Sequence, residues 1–126
     1  MEAINEKNML QSHVDSIAKG LIEGMTYDEC GMTPDCDSIK GSDCISGFDY
    51  LQDALDIQYI VRSDGEYIGA RVLVSFGGPN IWIDTARQMV DGYWWADSYS
   101  TSYHNDAMDI DEALRDLWET SIIKGG

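Results

Sequence analysis

The fold that this sequence predicts depends mainly on residues 57–76, IQYIVRSDGEYIGARVLVSF. Ile57, Tyr59 and Val61 occur at alternate positions, which is the period of a half-buried β-strand. The pair Asp64-Gly65 favours a tight hairpin turn, and the segment from Tyr67 to Phe76 continues as a longer second strand. The stretch therefore predicts an antiparallel hairpin.

Two more strands are predicted after this hairpin. The residues Gly77-Gly78-Pro79-Asn80 form a second turn signal, which is followed by strands at Ile81–Asp84 and from about Met89 to Trp95. The turn lacks the Gly-Lys-Ser/Thr ending of a phosphate loop and precedes a strand, so we interpret it as a plain turn. Sequential hairpins favour a four-stranded antiparallel meander.

Helical patterns flank the predicted sheet. Apolar residues recur at three- and four-residue spacing from Leu10 to Met25, with Gly20 and Gly24 as candidate stops. A second, short helix is predicted to run from the capping residue Ser46 to Leu55, because an acidic residue follows Ser46 three positions later. The last helix has Asp109 as its expected N-cap. Its apolar stripe consists of Ile110, Leu114, Leu117 and Trp118.

Residues 26–46, TYDECGMTPDCDSIKGSDCIS, show no periodicity and predict a long, acidic, irregular loop. Loops of this length within compact domains are usually functional or mobile. The loop contains all three cysteines, Cys30, Cys36 and Cys44, and an odd number excludes a complete disulfide framework. A zinc site could be completed by a histidine or an aspartate, but no C-x2-C pair is present, so free thiols are our default interpretation.

The sequence as a whole predicts one α+β domain over residues 1–126. It contains an N-terminal helix, the acidic loop, a short helix, the four-stranded sheet and a C-terminal helix. Its 44% hydrophobic content is enough for one core. Neither a membrane span nor a signal peptide is expected, because the apolar stretches are short and the N-terminus is charged. We therefore expect a cytoplasmic protein.

Charge is the most informative feature of the composition. The chain has eight Lys and Arg against 23 Asp and Glu, for a formal net charge of −15. Such a charge repels nucleic acids and anionic membranes and attracts basic protein surfaces. Residues 57–95 are almost neutral, whereas residues 28–56 and 96–126 are acidic. We interpret the neutral middle as a scaffold and the two acidic segments as binding surfaces for a basic protein.

The acidic residues of the last helix support a sharper hypothesis. Glu112, Asp116 and Glu119 fall at positions i, i+4 and i+7, so their carboxylates lie about 6 Å apart along one face. This spacing is close to that of phosphates along a nucleic-acid strand. With Asp109 and Asp111 and the loop acids, the helix could imitate a nucleic-acid backbone. The alternatives are an ordinary solvated helix face or a salt-adapted surface rich in aspartate, since the chain has 16 Asp and 7 Glu. The loop acids are Asp35, Asp37 and Asp43, whose spacing does not match an EF-hand.

Aromatic and histidine residues provide further candidates. Trp94 and Trp95 are adjacent in a predicted strand, so we expect one in the core and the other on the opposite face, under a helix or exposed as a binding anchor. His104 lies near serine and aspartate residues, but nothing resembling a nucleophile elbow accompanies it. We expect a binding protein without cofactors rather than an enzyme.

The segment FGGPNIWIDT (residues 76–85), followed by GYWW (residues 92–95), resembles a pattern in small accessory proteins of phages and mobile elements. In size and acidity the chain is similar to anti-CRISPR and anti-restriction proteins. The resemblance implies inhibition of a host nuclease, such as a Cas effector, by occlusion of its DNA or RNA site in the host cytoplasm. It provides no catalytic residue.

Two other classes of function remain open. An immunity protein or antitoxin would also be small and acidic, because it would neutralise a basic nuclease toxin by electrostatic complementarity. A small metal-binding protein or enzyme is the other alternative, with the three loop cysteines as its candidate ligands.

Overall fold

The structure is a computed structural model that describes residues 6–34 and 37–125. It contains four helices and five strands in this part of the chain. The helices are α1 (Glu6–Glu23), α2 (Tyr27–Cys30), α3 (Gly47–Leu51) and α4 (Ile110–Gly125). The strands are β1 (Asp56–Val61), β2 (Tyr67–Ser75), β3 (Asn80–Asp84), β4 (Met89–Trp94) and β5 (Asp97–Ser102).

The five strands form one antiparallel sheet in the order β1-β2-β3-β4-β5. The predicted α+β class and meander are confirmed, but the count of four strands is wrong. The strand that the sequence did not reveal is β5, whose residues DSYSTS are mostly polar. The turn before it, Trp95-Ala96, also lacks the glycine or asparagine that usually marks a two-residue hairpin.

The core lies between the helices and the sheet. Val72, Ile83 and Val90 are directly paired across β2, β3 and β4, and all three are fully buried. Directly paired residues of an antiparallel sheet share a face, so these side chains form the centre of the packed face. Helix α1 packs on β4 and β5, whereas α4 packs on β2 and α3.

Helix α1 matches its prediction. Leu10, Val14 and Leu21 are buried, as expected for its apolar stripe. Gly20 lies within the helix, and Gly24 marks its end with a φ of 89°. The N–H of Gly24 donates to the carbonyl of Gly20, a typical C-terminal arrangement that needs a left-handed residue.

The segment 26–46 is more ordered than an irregular loop. It begins with α2, where Thr26 and Glu29 form a reciprocal capping box, and Tyr27 is only 3% exposed. A β-bridge joins Thr26 to Cys44, and Ile45 is buried in the core. The two ends of the segment are therefore attached to each other. Asp35 and Cys36 lie outside the described residues.

Ser46 caps α3 as predicted, because its hydroxyl oxygen accepts from the N–H of Asp49 at 3.1 Å. The Asp49 carboxylate does not complete the box; it accepts from the Tyr27 hydroxyl and from the Gln52 amide. The helix ends at Leu51 rather than at Leu55, since the N–H of Leu55 already donates to β2.

Helix α4 is capped by Asp106, not by Asp109 as the sequence predicts. The two carboxylate oxygens of Asp106 accept from the N–H groups of Ile110 and Asp111 at 2.9 and 3.0 Å. Asp109 has a φ of 56°, whereas an N-cap residue usually has an extended backbone. Its left-handed conformation turns the chain into the helix, so the capping carboxylate comes from the preceding turn.

Replacement of Asp106 by Ala is expected to lower the free energy of unfolding by about 1–2 kcal/mol, because two N–H groups of α4 lose their acceptor. Asp109→Gly is the matched control and should be neutral or stabilising, since glycine tolerates the positive φ. Urea unfolding followed by circular dichroism compares the two variants. A larger loss in Asp109→Gly than in Asp106→Ala would contradict this assignment.

Candidate protein-binding surfaces

An acidic groove of about 330 Å³ lies between the start of α3 and the first turns of α4. Asp109, Glu112 and Asp116 line it on the α4 side, and Phe48 lines it from α3. The Phe48 side chain is 47% exposed. The groove therefore combines unshielded carboxylates with an accessible aromatic ring.

Close packing of the two helices depends on Gly47. A Cβ atom at this position would lie 2.7 Å from the carbonyl oxygens of both Met108 and Asp109. Any larger residue would push α3 away from α4 and change the shape of the acidic groove. The sequence gives no indication of this contact, because its residues are about 60 positions apart.

The predicted acidic residues of α4 do not all lie on one surface. Glu112, Asp116 and Glu119 are exposed, and none of them forms an ion pair within the described residues. Asp111 is turned towards the sheet, where its carboxylate accepts from the Tyr67 hydroxyl at 2.9 Å. Asp111 is therefore a structural residue of the α4–β2 contact.

The four arginines all have local partners. Arg62 pairs with Glu66, and Arg87 pairs with the buried carboxylates of Asp84 and Asp91. The other two guanidinium groups lie over aromatic rings, Arg71 over Trp82 at 4.6 Å and Arg115 over Tyr67 at 5.1 Å. None of the four arginines lines the acidic groove or forms an ion pair with its carboxylates.

The acids of segment 26–46 form no described contact with α4. Asp43 is exposed, and its carboxylate accepts from the backbone N–H of Lys40 at 2.8 Å, which stabilises a local turn. Asp37 is also exposed. Asp35, the third predicted loop acid, is outside the described residues. Neither Asp37 nor Asp43 lines the acidic groove.

Cys30 and Cys44 are free cysteines in different environments. Cys30 is half-buried, with its sulfur 3.9 Å from that of Met25. Burial raises the pKa of the Cys30 thiol, with a further contribution from the charge of Glu29, so this thiol is held in its protonated form. Cys44 is exposed. Within residues 6–34 and 37–125, no group of three histidine, cysteine or acidic side chains could hold a metal ion.

Of the two adjacent tryptophans, one packs against the core and the other is exposed, as predicted, but the strand predicted to contain both ends at Trp94. Trp94 is the last residue of β4 and packs partly against the core, but Trp95 lies in the two-residue turn before β5. Its side chain is 84% exposed and its φ is 57°. The alternation of a strand does not apply to Trp95, because the strand has already ended.

A second surface includes Trp95. A cleft of about 250 Å³ lies between two parts of the chain: Phe76 with the β2–β3 turn that follows it, and Trp94 with Trp95. The Phe76 side chain is 70% exposed. Sequence reasoning missed both Phe76 and Phe48 as surface residues. The surface position of Phe76 could have been predicted, because this residue directly precedes a glycine pair that marks a turn. The sequence contains no comparable signal for Phe48.

No helix within the described residues has the length and apolarity needed to cross a membrane. Comparison with protein families, with curated proteins and with solved structures finds no match to this chain.

Proposed function

We propose that this protein is an acidic inhibitor that binds a basic host protein, such as a CRISPR effector or another nuclease, and occupies its nucleic-acid site. The acidic groove is the observation that supports this proposal. Asp109, Glu112 and Asp116 face a cleft that contains no lysine or arginine. Such a surface is complementary to a channel of lysine and arginine side chains.

The geometry of α4 supports the proposal of charge mimicry. Glu112, Asp116 and Glu119 lie one helical turn apart on an exposed face, at a spacing similar to that of successive phosphates. A rigid helix presents these charges without the ordering cost of a flexible strand, which favours tight binding. The net charge of −15 accelerates association with a basic partner.

Phe48 adds an apolar contact to the electrostatic ones. Charged residues at the rim of an interface mainly determine association rate and orientation, whereas buried aromatic anchors contribute most of the affinity. Because Phe48 is exposed beside the acidic groove, a bound partner would cover it together with Glu112 and Asp116.

Reversal of Glu112, Asp116 and Glu119 to Lys tests the proposal. In a panel of purified nuclease effectors, the unmodified protein should compete with guide or target nucleic acid for one effector. The triple variant should bind that effector at least about 100-fold more weakly. Affinity of the unmodified protein should fall as salt rises, because exposed charges are screened.

A matched control is provided by Glu23, Asp53 and Asp56, which are exposed and do not line the acidic groove. Their reversal to Lys changes the net charge equally and should retain binding. Equal loss in both variants would show that only total charge matters, and full binding by the α4 variant would refute the proposed site. Binding to a nuclease toxin without competition from nucleic acid would instead identify an immunity protein.

A further inference from the structure

Two aromatic turns lie together at one end of the sheet. In an antiparallel meander, the β2–β3 turn and the β4–β5 turn are at the same end. The first carries Phe76 and the second carries Trp95, and both line the 250 Å³ cleft. Tyr93, which is also exposed, is near the end of β4. This end is the most aromatic part of the described surface.

The conformation of Trp95 is not explained by folding. Bulky residues rarely adopt a positive φ, and two-residue hairpin turns at such positions favour asparagine or glycine. Trp95 gains almost no burial in return, because 84% of its side chain is exposed. Strained, exposed residues of this kind occur preferentially at binding sites, where the strain holds a side chain ready for its ligand.

The chemistry of the cleft favours a flat, cationic group. Its walls are the aromatic side chains of Phe76 and Trp95, and its lining contains no charged residue. Gly77 and Gly78 leave open space, since a Cβ atom on either would meet nothing within 4 Å. Asp97 pairs with Trp94 across the Trp95 turn, so these two side chains lie on the same face of the sheet, and the Asp97 carboxylate forms no hydrogen bond or ion pair within the described residues. A carboxylate on the same sheet face as Trp94, which lines the cleft, is complementary together with the exposed aromatic rings to a guanidinium group.

We propose that this aromatic cleft binds an arginine side chain of a basic protein partner. The guanidinium plane stacks on Trp95 and its N–H groups reach towards Asp97, an arrangement that a lysine ammonium cannot reproduce. The choice of a basic protein rests on the proposed function, but the cleft is separate from the acidic groove, with which it shares no lining residue. Binding at the aromatic cleft therefore depends less on long-range charge than binding at the acidic groove does.

Three peptides test the arginine preference: one of alternating arginine and glycine, and its lysine and citrulline counterparts. Binding is followed by NMR through the indole N–H signals at high salt, where long-range attraction is screened. The arginine peptide should shift the Trp95 signal and bind about fivefold more tightly than the lysine peptide. The citrulline peptide should bind least. Equal binding of arginine and lysine peptides, or no shift at Trp95, would refute the proposal.

Trp95→Asn distinguishes a binding role from a structural one. Asparagine tolerates the positive φ, so this variant should melt at a higher temperature while losing the preference for arginine. Phe76→Ser should also lose the preference. A lower melting temperature for Trp95→Asn, or retained arginine preference in both variants, would overturn the proposal.

The α4 charge-reversal variant separates this inference from the proposed function. It should retain the preference for arginine over lysine at high salt, because none of its three substitutions lies in the aromatic cleft. Loss of effector binding together with a retained arginine preference is the result expected if both proposals hold, whereas full effector binding with a retained arginine preference would refute only the proposed function. Loss of the arginine preference in this variant would show that the peptide binds the acidic helix, and would refute the cleft assignment itself.

Discussion

Gly92→Ala is expected to lower the free energy of unfolding by about 2–3 kcal/mol, because the added methyl group has no room beneath α1. A Cβ atom at this position would overlap Val14 Cγ2 and would lie 2.9 Å from Leu10 Cδ1. Both neighbours are fully buried, so the helix must move away from β4. Strand propensity alone predicts the opposite sign, since glycine weakens a strand.

A double-mutant cycle with Val14→Ala tests this cause. Removal of the Val14 γ-carbons leaves space for the new methyl group, so Gly92→Ala should cost at least about 1 kcal/mol less in that background. Gly78→Ala is the control, because a Cβ atom at Gly78 meets nothing within 4 Å and should leave stability nearly unchanged. Urea unfolding measures all four proteins of the cycle. A neutral Gly92→Ala without coupling would contradict the contact of α1 with β4.

Stability is expected to fall steeply above pH 10, because the fold holds several tyrosines in their protonated form. Burial raises the pKa of Tyr50 to about 12. Burial also raises the pKa values of Tyr67 and Tyr103, with the neighbouring Asp111 and Asp106 carboxylates as further causes. These phenols are held within the core or against it, where a phenolate is poorly solvated.

The direction of this pH dependence follows from the number of protons that the folded and unfolded states bind. The unfolded chain loses tyrosine protons near pH 10, whereas the folded protein retains them, so unfolding becomes more favourable as pH rises. The contribution of these protonated tyrosines to the free energy of unfolding is fully present below pH 10. It is lost progressively as the pH rises through their pKa values in the folded protein. For Tyr50 alone, a difference of about two pKa units corresponds to about 3 kcal/mol.

Urea unfolding at pH values from about 9 to about 12 measures this loss. Tyr50→Phe removes one titrating group, so its stability should decline less steeply with pH than that of the unmodified protein. The difference between the two curves should appear only above pH 10. Parallel curves for the two proteins would show that Tyr50 titrates equally in the folded and unfolded states.

The central part of the fold could be predicted because its signals are local. The hairpin of β1 and β2 combines alternation with an Asp-Gly turn, and α1 combines a long apolar stripe with Gly24 as its stop. Both patterns depend on residues that are neighbours in sequence. The residues that determine these elements are therefore the same residues that form the recognisable sequence pattern.

Strand β5 could not be predicted because its position depends on its neighbours. Ser98, Ser100 and Ser102 occupy alternate positions of a strand that pairs with β4 and is covered by α1. Serine has little strand preference of its own, and this strand is formed by ladder hydrogen bonds and by packing of Tyr99. The cap of α4 was mispredicted for a similar reason, because the left-handed backbone of Asp109 lets the earlier Asp106 reach the helix.

The candidate surfaces, too, could be predicted only where they depend on local sequence patterns. Charge and helical spacing correctly placed Glu112, Asp116 and Glu119 on an exposed face, because solvent exposure follows from the polar side of an amphipathic helix. The same spacing could not show that Asp111 is bound to Tyr67, since that hydrogen bond joins residues 44 positions apart. Likewise, Phe48 joins the acidic groove only because Gly47 allows α3 to contact α4.

The sequence by itself determined the α+β class, the central antiparallel hairpins, the two long helices and the acidity of the surface, since each depends on composition or on short-range periodicity. Only the tertiary structure decided which side chains share a surface. It separated Asp111 from the other α4 acids, placed Phe48 beside them and placed Phe76 next to Trp95. These contacts join distant parts of the chain, and their geometry is determined by packing of the whole core rather than by local preference.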